Sequence, residues 1–118
     1  MNVEEIRDYC LAKNGTEESF PFDEETLVIK VMNKMFALVS LEDGSKVNLK
    51  CDPAKAIELR ERYAEIVPGW HMNKKNWNTV TFNQSIPDDL VKELIDHSYN
   101  LVVASLPKIK QQQLKIEK

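Results

Sequence analysis

The chain has 118 residues, of which 42% are hydrophobic and 30% charged, and its formal net charge is −3. This length fits one domain with one core, and the acidic balance excludes a protein that binds nucleic acid through a uniformly basic surface. No uncharged apolar run approaches the roughly 18 residues of a membrane helix, and the start lacks the pattern of a secretory signal. We therefore expect a soluble, cytoplasmic protein.

The first predicted element is a short helix. Asn2 and Glu5 have the spacing of a capping box, apolar residues follow at helical intervals, and Gly15 provides a stop. The connection that follows, over 17–25, is acidic and rich in turn-forming residues. We expect no regular structure there.

Three antiparallel strands are predicted next. Two apolar segments, 27–32 and 35–41, flank the pair 33–34, where the asparagine tolerates positive φ, and this predicts a tight hairpin. A second turn at 42–45 leads into 46–50, which alternates with period two.

The second half predicts two more helices around a strand region. Asp52-Pro53 is a typical helix start, and Pro68-Gly69 is the expected end. The apolar stripe of this helix is Ala56, Leu59, Tyr63 and Ile66. Residues 70–82 are expected to form a strand, a loop and a strand, and a largely buried helix runs from near Pro87 to Pro107. The domain is therefore predicted over 1–107, with 108–118 as a charged, Gln-rich tail.

The predicted hairpin pairs Met32 with Met35, and this pairing assigns side chains to the two faces of the sheet. The inner face, covered by helices, is expected to carry Ile29, Val31, Phe36, Leu38, Ser40, Val47, Leu49, Val80 and Phe82. The outer face is expected to carry Val28, Lys30, Met32, Met35, Ala37, Val39, Lys46, Asn48, Lys50, Trp77, Thr79 and Thr81.

The sequence shows no catalytic or metal-binding motif. Cys10 and Cys51 lack zinc or redox spacing, and His71 and His97 belong to no known catalytic pattern. Since His97 lies on an apolar helical stripe, we interpret it as a hydrogen-bonded boundary residue. We expect no enzyme activity and no cofactor; an enzyme would need an unrecognised cluster around Cys51, His71 or His97.

Four motifs in this order resemble the MmcQ/YjbR family of small bacterial proteins. They are "KVMNKMFAL" (30–38), "LKCDPAKAIELRERY" (49–63), "VPGWHMNKKNWNTV" (67–80) and "LIDHSYNLVVASLPK" (94–108). The resemblance implies a frataxin-like (CyaY-like) α+β fold, a two-layer sandwich with helices packed on one face of an antiparallel sheet. It also implies DNA binding, through a double-wing arrangement of hairpins, and brings no catalytic residues.

The predicted DNA-contacting surface combines the outer sheet face with the loop over 70–78. The span 66–87 contains no Asp or Glu, so its lysines can neutralise phosphates, its asparagines can donate hydrogen bonds, and Trp70 or Trp77 can stack on a base. The predicted residues are Lys30, Lys46, Asn48, Lys50, His71, Asn73, Lys74, Lys75, Asn76, Trp77 and Asn78. We expect weak, strongly salt-dependent binding that is largely independent of sequence.

Two alternatives remain open for this surface. The loop is equally consistent with a polar turn in which the tryptophans serve as core anchors and the lysines maintain solubility. The apolar part of the outer face, Met32, Met35 and Val39, is also consistent with a site for a protein or small ligand, or with a homodimer interface.

Overall fold

A computed structural model of the chain describes residues 1–70 and 72–116. The helices are α1 (Val3–Leu11), α2 (Pro53–Arg62), α3 (Asp88–Ala104) and α4 (Lys108–Ile116). The strands are β1 (Thr16–Ser19), β2 (Thr26–Val31), β3 (Lys34–Ser40), β4 (Lys46–Lys50), β5 (Ile66–Pro68) and β6 (Trp77–Thr81). Within the described residues, the six strands form one antiparallel sheet in the order β1-β2-β3-β4-β6-β5.

The helices cover one face of this sheet, which confirms the predicted α+β class. Ile6 of α1, Ala56 of α2 and Ile95 of α3 belong to the same buried cluster as Ile29 and Val47 from the strands. A second, smaller cluster lies on the opposite face and contains no helical residue among those described. The two faces are called inner and outer below.

The three predicted helix starts are present, and those of α1 and α2 are capped by side chains. In α1 the Asn2 side chain accepts from Glu5 N at 2.8 Å while the Glu5 carboxylate accepts from Asn2 N at 3.1 Å, which is a complete capping box. In α2 the Asp52 carboxylate accepts from Ala54 N and Lys55 N, each at 3.1 Å. These bonds satisfy N–H groups that a helix end otherwise leaves unpaired.

The hairpin between β2 and β3 differs from the predicted one by one residue. The turn residues are Met32 and Asn33, with φ of 47° and 72°, so both adopt the positive φ that a type I′ turn requires. Further along, Lys30 pairs with Met35 but Ile29 pairs with Ala37. The bulge makes Phe36 the extra residue of β3, and Phe36 and Ala37 both belong to the inner core.

This bulge reverses the predicted alternation in the rest of β3. Leu38 belongs to the outer cluster, whereas Ala37 and Val39 belong to the inner core. Ser40 follows Leu38 to the outer side, where both line the same groove, and Met32 packs against the inner core. The predicted apolar seam of Met32, Met35 and Val39 does not exist, because only Met35 is on the outer face.

The bulge is stabilised by a hydroxyl group from α3. Ser98 is completely buried, and its hydroxyl donates to Phe36 O at 2.5 Å and accepts from Lys50 N at 2.9 Å. Backbone groups beside a bulge lose ladder partners, and burying them unpaired is costly. A single side chain therefore satisfies one backbone group on each of two neighbouring strands.

Two segments have a different secondary structure from the predicted one. The edge strand β1 covers 16–19, and three of these residues belong to the connection 17–25, for which no regular structure was predicted. The predicted extension of the second helix to Ile66 is wrong, because α2 ends at Arg62, Tyr63 has extended backbone (φ −125°, ψ 121°), and 66–68 pair with β6. The apolar spacing of Tyr63 and Ile66 suits both elements, and pairing of Ile66 with Val80 decides between them.

The segment predicted as a tail contains α4. Leu114 of α4 is buried in the inner core, and its carbonyl accepts from the Asn14 side chain at 3.2 Å. A side chain at Gly15 would collide with the side chain of Leu114. Gly15 has a φ of +73°, so this position favours glycine for both reasons. The helix therefore packs against the end of α1, while residues 117–118 lie outside the described part of the chain.

Candidate functional site

The outer face carries three rows of side chains that run across the strands. On the four central strands, the row beside the Met32–Asn33 turn is Lys30, Met35, Lys50 and Trp77; the middle row is Val28, Leu38, Asn48 and Thr79; the third row is Thr26, Ser40, Lys46 and Thr81. Glu17 of the edge strand β1 pairs with Lys30 and extends the first row. Charged groups thus lie in the first and third rows. The middle row is buried.

A small apolar cluster occupies the centre of this face. Val28, Leu38 and Trp77 are buried there, with Met35 and Met72 packed against them. Met72 belongs to the loop over 69–76, so this loop folds back onto the outer face. Trp77 is only 8% exposed, which leaves its ring no free face for stacking on a base.

The loop is attached to the sheet by a closed hydrogen-bond network. Asn48 Nδ2 donates to Trp70 O at 3.0 Å, Trp70 N donates to Thr79 Oγ1 at 2.9 Å, and the Thr79 hydroxyl donates to Asn48 Oδ1. Asn48 and Thr79 are buried. The side-chain oxygen and nitrogen of Asn48 and the hydroxyl of Thr79 are all engaged in this network. The role of Asn48 is therefore to position the loop.

Arg60 of α2 attaches the far side of the loop. Its Nε donates to Asn78 Oδ1 at 2.7 Å, and its Nη2 donates to Lys74 O and, at 3.3 Å, to Trp77 O. Asn78 is buried, and its Nδ2 has no hydrogen-bond partner among the described residues. The side chain of Asn78 is therefore engaged inside the protein and is not available at its surface.

The remaining predicted contacts in the loop have mixed roles. Asn73 Oδ1 accepts from Lys75 N at 2.9 Å, and Asn76 O accepts from Cys51 N at 2.7 Å, so both asparagines shape the backbone. The side chains of Asn73, Lys74 and Lys75 are exposed. The predicted contact at His71 lies outside the described residues.

A groove of about 850 Å³ lies between the loop and the turn that joins β3 to β4. It is lined by Thr26, Leu38, Ser40, Glu42, Asp43, Lys46, Asn48, Val67, Pro68, Trp70, Met72, Lys74 and Thr79. Trp70 is 56% exposed at this groove, in contrast to Trp77. The two acidic and two basic side chains of the lining cancel in charge.

A second pocket, of about 460 Å³, lies at the end of the sheet beside the Met32–Asn33 turn. It is lined by Pro21, Phe22, Lys30, Asn33, Lys34, Met35, Lys50, Val102 and Ser105. Three lysines and no carboxylate contribute to this lining. We call it the basic pocket.

The two ends of the outer face differ in charge, although Glu17 of β1 pairs with Lys30 in the sheet and Lys74 lines the groove together with Glu42 and Asp43. Among residues 1–70 and 72–116, no ion pair involves Lys30, Lys34, Lys50, Lys74 or Lys75, whereas Lys46 Nζ lies 2.8 Å from Asp43 Oδ2. The opposite end carries Asp43 and the Glu25–Glu42 pair, in which the nearby Glu42 carboxylate raises the pKa of Glu25. Glu25 O accepts from Leu41 N at 2.7 Å, which places both glutamates at the β3–β4 turn.

The chain matches the YjbR family model over residues 11–101. It belongs to the YjbR family. The uncharacterized protein YjbR of Escherichia coli K12 is 37% identical to it over 115 residues, covering 97% of this chain and 98% of that protein. The uncharacterized protein YbdF of Escherichia coli O157:H7 is 40% identical over 100 residues, covering 84% of this chain and 82% of that protein. The family predicted from the four motifs is confirmed.

Solved structures of two relatives share the fold of this YjbR-family protein. Deinococcus radiodurans protein DR2400, a DUF419 domain, superposes with a TM-score of 0.89 at 39% identity, covering 96% of this chain and 87% of that one. A Pseudomonas syringae protein superposes with a TM-score of 0.73 at 26% identity, covering 86% of this chain and 98% of that one.

The cysteines and the described histidine occupy structural positions in this YjbR-family protein. Burial raises the pKa of Cys10 to about 12 and also raises that of Cys51, so both thiols hold their protons at neutral pH. Burial lowers the pKa of His97, whose Nε2 accepts from Asp52 N at 3.1 Å. Within the described ranges, no cluster of three or more His, Cys, Asp or Glu side chains suits a metal ion, and no helix is long and apolar enough to cross a membrane.

Three residues of these surfaces are not singled out by the sequence patterns. Phe22 lies in an acidic connection, and its signal is the presence of a large aromatic residue in an otherwise polar segment. Lys34 lines the basic pocket as the first residue of β3, whereas the sequence pattern places it in the hairpin turn. Arg60 resembles any charged residue on the solvent face of a helix, since its partners come from a distant loop.

Proposed function

We propose that this YjbR-family protein is a DNA-binding module that contacts phosphate groups through the basic end of its outer face. One observation carries the proposal: five lysines have no ion-pair partner among the described residues. Lys30, Lys34 and Lys50 line a pocket without a carboxylate in its lining, and the exposed Lys74 and Lys75 belong to the loop whose Asn76 O accepts from Cys51 N, next to Lys50. These five lysines are called the basic end. A protein with net charge −3 can bind a polyanion only through such a local field.

The geometry of the loop favours backbone contact over base reading. Asn48, Asn78 and Trp77 are buried, so three of the predicted contacts have no access to base edges. The exposed amines of Lys74 and Lys75 suit phosphate oxygens, which carry no sequence information. Binding is therefore expected to be weak, independent of sequence and steeply dependent on salt.

The test is fluorescence anisotropy of labelled DNA, titrated with protein at several salt concentrations. Two double variants remove lysines of the basic end, Lys30→Ala/Lys50→Ala and Lys74→Ala/Lys75→Ala. The matched control, Lys46→Ala/Lys110→Ala, removes the same charge from an ion-paired site and from an exposed face of α4.

Each basic-end variant is expected to bind more weakly than the control and to have a shallower salt slope. The expected change is about 0.9 in the slope of log K against log salt for each lost phosphate contact on duplex DNA. Equal losses in all three variants would show that only the net charge matters. No binding by the wild type at low salt would refute the proposal.

The groove supports a second candidate, binding of a small molecule. Its volume of about 850 Å³ is within the range of small-ligand sites, and apolar Leu38, Val67 and Met72 line it with a few polar groups. Because the lining charges cancel, the candidate ligand is apolar and neutral overall. Chemical-shift changes at the Leu38 and Met72 methyls in a fragment titration would support it if the change at Met72 is lost in Leu38→Gln; shifts elsewhere would not.

A further inference from the structure

The basic pocket brings together three amines that the fold has no internal need to combine. Lys30 comes from β2, Lys34 from the start of β3 and Lys50 from the end of β4, yet all three line one space of about 460 Å³. No carboxylate lines this space, and no ion pair in the described chain involves these lysines. Grouped like charges repel one another, and a bound anion would relieve that repulsion.

An exposed aromatic ring completes the pocket. Phe22 is 61% exposed, and it lines the pocket with Pro21. Its loop is anchored by Asp23, whose carboxylate accepts from Glu25 N at 2.9 Å and from Thr26 N at 2.7 Å. These hydrogen bonds lower the pKa of Asp23, so the anchor is present at neutral pH.

The geometry points to a site for one nucleotide unit, with the base against Phe22 and a phosphate among Lys30, Lys34 and Lys50. A base inside a duplex is stacked and cannot reach a side-chain ring, so this site selects unpaired residues. The inference rests on the proposed function and narrows its target to single-stranded nucleic acid. The same chemistry would also admit a free mononucleotide.

The pairing of charge with an aromatic ring distinguishes this ligand from simpler ones. Inorganic phosphate would satisfy the lysines but leave Phe22 exposed, and a nucleoside would cover the ring without neutralising the amines. A nucleotide does both, and the pocket volume is within the range of sites for small ligands. Affinity is therefore expected to rank AMP above both adenosine and inorganic phosphate.

The first experiment is calorimetric titration of the full chain with AMP, adenosine and inorganic phosphate. It is followed by anisotropy with a labelled oligothymidylate and with a duplex of equal length. The expected result is AMP binding tighter than either component, and the single strand tighter than the duplex. Equal affinity for the single strand and the duplex would overturn the inference and leave only backbone contact.

The decisive variant is Phe22→Ala, with Phe20→Ala as its matched control. Both rings belong to the same loop and are exposed, at 61% and 49%, but only Phe22 lines the pocket. Removing Phe22 is expected to weaken binding of AMP and of the single strand by roughly 5- to 150-fold, the range for loss of one stacked base, with little effect from Phe20→Ala. Equal effects of the two variants would overturn the inference.

The outcomes separate this inference from the proposed function. Binding of AMP without binding of either DNA refutes the DNA-binding proposal but supports the pocket, with a free nucleotide as its ligand. Binding of DNA that is indifferent to Phe22→Ala supports the DNA-binding proposal and refutes the pocket. Loss of all binding in Lys30→Ala/Lys50→Ala but not in Lys46→Ala/Lys110→Ala supports both.

Discussion

The two faces of the sheet are built from the same strands but are covered differently. On the inner face, helices enclose residues such as Phe36 and Val39, which are fully buried. On the outer face, one loop covers Leu38 and Trp77 and leaves a groove and a basic pocket open beside them. A loop buries less than a helix layer does, and the outer face therefore retains the surfaces available for binding.

The faces also satisfy their buried polar groups in different ways. On the inner face, the Ser98 hydroxyl forms hydrogen bonds directly with two strand backbone groups. Outside, the Asn48 and Thr79 side chains bond each other and the backbone of Trp70. The inner contact stabilises the bulge, whereas the outer network attaches the loop. Substitutions on the two faces should therefore have different consequences.

The largest expected effect is on the inner face. Phe36→Ala removes a fully buried ring that meets Tyr99 edge-on at 5.4 Å, so we expect a loss of about 3–5 kcal/mol in the free energy of unfolding, measured by urea denaturation. Met35→Ala, its neighbour on the outer face, is the control and should cost less because Met35 is only partly buried. Equal losses would contradict the contrast between the faces.

Ser98→Ala should have the next largest effect. It leaves Phe36 O and Lys50 N without their shared partner in a dry environment, and we expect a loss of about 1–3 kcal/mol. Hydrogen exchange at the Lys50 amide should accelerate in this variant. Ser105→Ala, at the exposed C-cap of the same helix, removes only the bond from the Ser105 hydroxyl to Val102 O and should change the stability less. An unchanged Lys50 amide in Ser98→Ala would exclude the bridge.

Thr79→Val tests the outer network and should have a smaller effect on global stability. The variant keeps the shape of the side chain but removes the bonds to Asn48 and Trp70 N, so about 1 kcal/mol should be lost. Because the loss falls on the loop, tryptophan fluorescence should change while the inner core remains intact. Thr81→Val, in the third row, is the control, and the same fluorescence change there would refute a specific role for Thr79.

The smallest expected effect is a pH dependence that arises at His97. Its pKa is lowered in the folded state by burial, so the unfolded chain binds a proton more readily, and stability falls as pH drops through the ordinary histidine range near 6.5. The bond from Asp52 N requires the unprotonated ring. The outer network contains no group that titrates in this range.

The measurement compares urea denaturation at about pH 7.5 and 5.5. His97→Gln should flatten the difference between the two pH values, and His71→Gln is the matched control for removal of a histidine. If the wild type is more stable at the lower pH, the direction assigned to His97 is incorrect. If His71→Gln flattens the difference instead, the effect comes from elsewhere in the chain.

Local signals in the sequence determined much of this fold. The Asn2–Glu5 capping box and the Asp52-Pro53 start each act within a few residues, and α1 and α2 begin where these signals predict. The apolar stripe that predicted α3 runs along the whole of that helix, which begins next to Pro87 as expected. The four motifs identified the family. Alternation also predicted that Val80 and Phe82 share one face of the sheet, and both belong to the inner core.

Tertiary structure alone decided the features that depend on distant partners. A bulge changes the face of every residue beyond it, and no local pattern reveals that Ser98 bridges Phe36 and Lys50. Likewise, lysines that look alike in the sequence differ in the fold, since Lys46 pairs with Asp43 whereas Lys30 and Lys50 share a pocket without a carboxylate. The periodicity of a sequence indicates which residues of one strand share a face. The partners of those residues come from distant parts of the chain, which the periodicity does not reveal.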